Sequence, residues 1–112
     1  MMNRNDIGYI FVQYINDPNN GKKRPILIIR DSDEMLKFYK ITSKYVNKSV
    51  NIKKNYFEIN DWHYAGLRKK SWIDINHPYS IDKPSEFYNG LKHFDHLSEN
   101  DIFRFETFIK TH

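Results

Sequence analysis

The chain has 112 residues, enough for one domain with a modest core and too few for a doubly wound cofactor domain or an eight-fold α/β barrel. Aromatic residues make up 16% of it, which supplies the apolar surface of a folded core despite the 29% of charged residues, and the absence of cysteine removes disulfides, thiol nucleophiles and Cys-zinc sites. The formal net charge of +4 is unevenly spread: residues 22–70 hold 13 Lys/Arg against 5 Asp/Glu, a basic block between mildly acidic ends that would attract a polyanion, nucleic acid first.

In chain order, residues 7–15 (IGYIFVQYI) are rich in β-branched and aromatic types and read as a strand. Asp17-Pro18-Asn19-Asn20-Gly21 is a loop by its turn chemistry. Residues 26–30 (ILIIR) form a second, buried-looking strand, with Pro25 at its first position, where proline is tolerated. A polar turn at 31–34 leads to a third strand over 35–42. Residues 43–53 read as an exposed basic loop or irregular hairpin, 55–59 as a short strand, 62–65 as a short helix capped by Asn60 or Asp61 and ended by Gly66, and 71–75 as another strand. The clearest helix is the last. Ser98-Glu99-Asn100-Asp101 resembles a capping box with Asp in the Glu position, and Ile102, Phe105, Phe108 and Ile109 recur at helical spacing. Strands first and one helix last predict a single domain over 1–112, a small antiparallel, barrel-like sheet covered by a C-terminal helix. No apolar run has the length of a membrane span and MMNRND carries no signal-peptide core, so no membrane association and a cytoplasmic location are expected.

No phosphate-binding glycine loop and no G-x-S-x-G elbow is present. Of the five histidines only His93 and His96 are close in sequence, too few for a zinc site, and a two-histidine ribonuclease has nothing to fix its geometry. The most informative stretch is Gly21-Lys22-Lys23-Arg24-Pro25-Ile26-Leu27-Ile28, in which a turn hands three cations to a buried strand. Arg24, rooted at a strand start, presents a fixed planar fork that suits a phosphate. If 26–30 and 37–41 pair as an antiparallel hairpin, Arg24 and Thr42 meet at its open end, with Ser43 and Lys44 beside them. A strand-capping Arg and a local hydroxyl turn would give the same pattern without any site.

These residues resemble the MazF/PemK family of toxin-antitoxin toxins. Asp6-Ile7 resembles the family's Gly-Asp-hydrophobic opening, with Asn5 in place of the glycine. Gly21 to Ile28 resembles its Gly-x-x-Arg-Pro signature, and Ile41-Thr42-Ser43-Lys44 its Ile-Thr segment. Gly66-Leu67-Arg68-Lys69-Lys70-Ser71 resembles Gly-Leu-x-x-x-Ser, and Leu97-Ser98-Glu99-Asn100-Asp101 the Leu-Ser-x-x-Asp entry to the last helix. Asp95-His96-Leu97 departs from the usual Gly-x-Leu, and residues 76–92 match nothing in the pattern. The resemblance implies a homodimeric SH3-like barrel, similar also to the CcdB toxins, that cleaves single-stranded RNA selectively without metal or cofactor. The ribose 2′-OH attacks the adjacent phosphate and leaves 2′,3′-cyclic phosphate and 5′-OH ends. It also implies a cognate acidic antitoxin. Catalysis would fall on Arg24 and Thr42, with Ser43 as the alternative hydroxyl, and no general base is evident. The basic residues Lys22, Lys23, Lys44 and Lys70, with Ser71, would hold the RNA backbone, and Trp62, Trp72 and the tyrosines could stack bases. Two other readings stand beside it: a non-catalytic binding protein of the same fold that takes a protein partner, and a basic RNA-binding module without cleavage.

Overall fold

The computed structural model describes every residue from Met1 to His112. Six strands, β1 (Asp6–Gln13), β2 (Gly21–Asp31), β3 (Met35–Thr42), β4 (Tyr56–Glu58), β5 (Trp72–Asp82) and β6 (Lys92–His96), form one sheet. Three helices complete the chain: α1 (Val50–Lys53), α2 (Glu86–Asn89) and α3 (Glu99–Lys110). The strand order is β4-β5-β3-β2-β1-β6 and every neighbouring pair is antiparallel. β4 and β6 remain edges, so hydrogen bonding does not close the sheet, and the barrel-like expectation is met only as a mainly-β, open antiparallel sheet with a C-terminal helix. No helix is long and apolar enough to cross a membrane.

The sheet buries both faces. Ile7, Leu27, Ile41, Phe57, Ile73 and Leu97 pack with Phe105 of α3 on one side. Ile10, Val12, Ile26, Ile28, Leu36 and Phe38 form a second core on the other. Alternation along β2 produces this division, since Leu27 points opposite to Ile26 and Ile28. The aromatic stripe of α3 is core, as its spacing predicts: Phe105 is buried, and Ile102, Phe108 and Ile109 are partly buried against the first cluster.

Several elements differ from the sequence reading. The second strand, expected at 26–30, already starts at Gly21 because residues 21–25 pair with β1, which puts Pro25 opposite Tyr9 inside the strand and not at its first position. α2 and β6 lie where the sequence pattern predicted no element. The strand expected at 71–75 runs on to Asp82, because a bulge at Phe38/Lys40 lets β5 keep pairing along the whole of β3. The helix expected at 62–65 is only a set of turns, with Ala65 N–H bonding Asp61 O and Leu67 N–H bonding Trp62 O. A short helix, α1, lies instead in the stretch read as loop, capped by Ser49, whose Oγ accepts from Ile52 N–H. The capping box at α3 is also one-sided. Ser98 Oγ accepts from Asp101 N–H at 3.1 Å, but the shorter Asp101 carboxylate turns to other donors. It accepts from Asn60 N–H at 3.2 Å, Asp61 N–H at 2.8 Å and Arg104 Nη1 at 2.7 Å. Ser98 Oγ in turn donates to Asp61 Oδ2 at 2.6 Å. A fully buried carboxylate thus ties α3 to the 60–61 turn, which leads directly into the 66–71 loop.

A second buried carboxylate places the segment that sequence patterns left unassigned. Asp31 accepts hydrogen bonds from Lys83 Nζ, Met2 N–H and Tyr88 O–H, and so draws residues 83–91 back to the end of β2. Burial pushes the Asp31 pKa up, but these donors outweigh it and hold the carboxyl below its ordinary range.

Removing the Asp101 carboxylate strands three donors, so Asp101→Ala should lower unfolding stability by about 3 kcal/mol in urea titration. Phe103→Ala, at an exposed position of the same helix, should stay within about 0.5 kcal/mol.

Candidate functional site

The register of β2 and β3 pairs Ile26 with Lys40 and Leu27 with Tyr39, which carries Arg24 and Thr42 to adjacent positions at the open end of the hairpin. Both line a cavity of about 580 Å³. Lys22, Lys23, Arg24, Lys44, Arg68, Lys69 and Lys92 surround it, and no Asp or Glu does. Ser43 and Ser71 are also in its wall, with Tyr9, His93 and Phe94 along the opposite rim from β1 and β6.

Glycine makes this geometry possible at two points. A Cβ on Gly21 would sit 2.2 Å from Val12 O, so only glycine lets β2 start here. Gly66 has φ +79°, the left-handed conformation in which other residues are strained, and it turns the chain into the Arg68-Lys69 loop. Asn5 has φ 71°, a conformation that asparagine tolerates better than most residues, and its backbone bonds Ile28 O and Leu97 N–H across the sheet.

Arg24 makes no ion pair, and its buried Nε has no hydrogen-bond partner within the protein. A buried guanidinium nitrogen of this kind suits an anionic acceptor. The nearby carboxylate is engaged elsewhere: Asp74 lies 3.5 Å from Lys40 Nζ and accepts from Asn76 N–H and Nδ2 at 2.8 Å. Burial, then Asp74, pushes the Tyr56 phenol up to about 12, so it stays protonated, while the Arg24 charge acts in the opposite sense. Lys22 shows the effect of uncompensated cations directly. The Arg24 charge, then partial burial, then Lys44, Lys40 and Lys69 hold its ammonium pKa below the ordinary range.

The hydroxyls divide by what they already bond. Thr42 Oγ1 accepts from Lys44 N–H at 3.1 Å, the local turn that the sequence allows, and its own proton remains available to donate. Ser71 Oγ donates to Lys69 O at 2.8 Å, so Ser71 shapes the basic loop and its proton is spent. Ser43 follows Thr42 along the chain and forms no side-chain hydrogen bond that would hold it.

Lys22, Lys23, Lys44, Arg24, Thr42, Ser43 and Ser71 therefore come together as the sequence suggests. Lys70 does not. It lies 3.6 Å from Glu58 and over the Trp72 ring at 5.7 Å, away from the cavity. Arg68 and Lys69 take its place, because the turn after Gly66 directs them inward. The tryptophans are not open faces either. Trp72 is buried under Tyr45, stacked at 4.6 Å, and Trp62 packs on the first core. Lys92 and Phe94 had no sequence signal, and His93 stood out only for its spacing from His96, since only the pairing of β6 on β1 brings the three to the cavity. His93 Nε2 lies 3.8 Å from Asp6 Oδ2, whereas His96 Nδ1 faces Leu97 O, so the two histidines do not converge.

Comparison of the chain with models of known protein families gives no match, and comparison with curated proteins gives none either.

Arg24→Ala removes the main charge acting on Lys22, so the Lys22 pKa should rise toward its ordinary value. Titration of the Lys22 Cε resonance by NMR would check this.

Proposed function

We propose that the protein is a metal-independent endoribonuclease of the MazF/PemK type, acting on single-stranded RNA. The observation that carries the reading is the meeting of Arg24 and Thr42 in a cavity lined by cations and free of carboxylates. The strained or crowded positions add support. Asn5, at the site of the family's glycine, adopts a conformation that glycine favours, Gly21 stands where a Cβ would collide with Val12 O, and Gly66 has the left-handed φ at which other side chains are strained. The bent, open sheet with two cores and a C-terminal helix is compatible with the SH3-like architecture of that family.

In this reading the scissile phosphate sits against Arg24, whose fork neutralises the charge that builds on the non-bridging oxygens. The Thr42 hydroxyl donates to the same phosphate. The 2′-oxygen bonds to phosphorus, the bond from phosphorus to the 5′-oxygen breaks, and a 2′,3′-cyclic phosphate remains. The 2′-OH proton needs an acceptor. His93 is the imidazole that lines the cavity, with Asp6 Oδ2 3.8 Å from its Nε2. The 5′-oxygen needs a proton. An arginine is a poor donor, and Lys22, with its lowered pKa, is the better acid. The uncompensated cations would equally receive the acidic segment of an antitoxin, and a second copy of the chain is the partner that the resemblance implies.

Purified protein should cleave single-stranded RNA in the presence of EDTA and leave 2′,3′-cyclic phosphate ends. A single 2′-deoxy substitution at the cleavage point should block the cut. Arg24→Ala should lose on the order of 10²–10³ in rate while remaining folded by circular dichroism. Intact RNA with salt-dependent binding would instead identify a binding module.

His93→Gln should slow single-turnover cleavage on the order of 10²-fold with RNA affinity nearly unchanged. An unaltered rate would remove His93 from the reaction.

A further inference from the structure

Ten large apolar side chains are exposed, and only Tyr9 and Phe94 among them line the basic cavity. Tyr9 is 40% exposed and Phe94 47%. The fold holds each ring for a distinct reason. Tyr9 stands on β1 between Pro25 of β2 and Lys92 of β6, its Cα partners on either side. Phe94 is the residue left out of register where β6 pairs Asp95 with Ile7 and His93 with Gly8. Such a bulge re-aims a side chain. Its ring edge rests on the Gly66 turn, where a Cβ would come within 3.3 Å of Phe94 Cε2. Neither ring stacks on another aromatic ring of the protein, in contrast to Trp72, which Tyr45 covers.

Exposed aromatic faces inside a wall of cations match a polymer that is anionic along its backbone and flat in its side groups. Unpaired nucleobases have both properties. In a duplex the bases are already stacked and their faces are closed to the protein. We propose that Tyr9 and Phe94 form a nucleobase-stacking subsite at the rim of the cavity, which takes the unpaired base adjoining the phosphate at Arg24. The placement of that phosphate rests on the ribonuclease reading, but the subsite itself is measured without cleavage.

The test uses a fluorescent, uncleavable 2′-O-methyl RNA strand and a matched strand with abasic sites, each titrated by anisotropy with the wild-type protein, Tyr9→Leu and Phe94→Leu. Each variant should bind the base-containing strand roughly 5- to 100-fold more weakly. Its affinity for the abasic strand should equal that of the wild type, and the salt dependence should not change. Tyr9→Phe and Phe94→Tyr, which keep the ring, should restore binding and show that the loss is not one of folding. Lys23→Ala should weaken both strands together and flatten the salt dependence. The subsite is overturned if the leucine variants bind the base-containing strand as tightly as the wild type, if both strands weaken equally, or if the wild type does not discriminate between them. Lack of cleavage of ordinary RNA would count against the ribonuclease reading alone.

Discussion

The structure depends on β2 being buried from both sides. Ile26 and Ile28 fill one core and Leu27 the other, and each such side chain contributes about 1.5–3 kcal/mol by leaving water. A slip of one residue would exchange the two sets and expose the charged end of the strand to apolar surroundings. That penalty pins the register of β2 against β1 and β3 together. The position of Arg24 beside Thr42 follows from it and needs no contact between the two side chains.

Electrostatics then works against the same site. The carboxylates with buried side chains are paired: Asp31 with Lys83, Asp74 with Lys40, Asp101 with Arg104. Around the cavity the cations are left to repel one another, as the lowered Lys22 pKa records. Concentrating like charge there costs stability in the free protein and is recovered when an anion enters.

Much of this was legible in the sequence. The apolar run of 26–30, the imperfect alternation of 35–42, the turn chemistry before Gly21 and the Ser98 cap pointed to the hairpin, its open end and α3, and with them Arg24, Thr42 and the neighbouring lysines. What was not legible depended on long-range pairing. Lys92 and Phe94 carry no local pattern, the His93-His96 spacing pointed to a pair that does not converge, and only a bulged edge strand brings these residues to the cavity. Lys70 was indistinguishable from Lys69 in a run of three cations, because the choice between solvent, Glu58 and the cavity is made by the direction of the turn after Gly66. Trp72 looked available for stacking because nothing in its own surroundings announces Tyr45, which covers it from 27 positions earlier in the chain. Asp101 fitted a capping role by spacing, yet its shorter side chain serves the 60–61 turn.

The link between Asp101 and residues 60–61 spans about 40 positions of the chain. It has a consequence for the order in which the protein matures on the ribosome. Chain emerges from the N-terminus at roughly 5–20 residues per second. Arg24, Thr42 and the Arg68-Lys69 loop are all synthesised before the carboxylate that steadies the turn leading into that loop. The wall of the cavity is therefore finished last, once α3 has emerged and docked. A nascent chain carrying every cation of the site would still lack the Asp101 contacts to the 60–61 turn, which form only once the final helix is present.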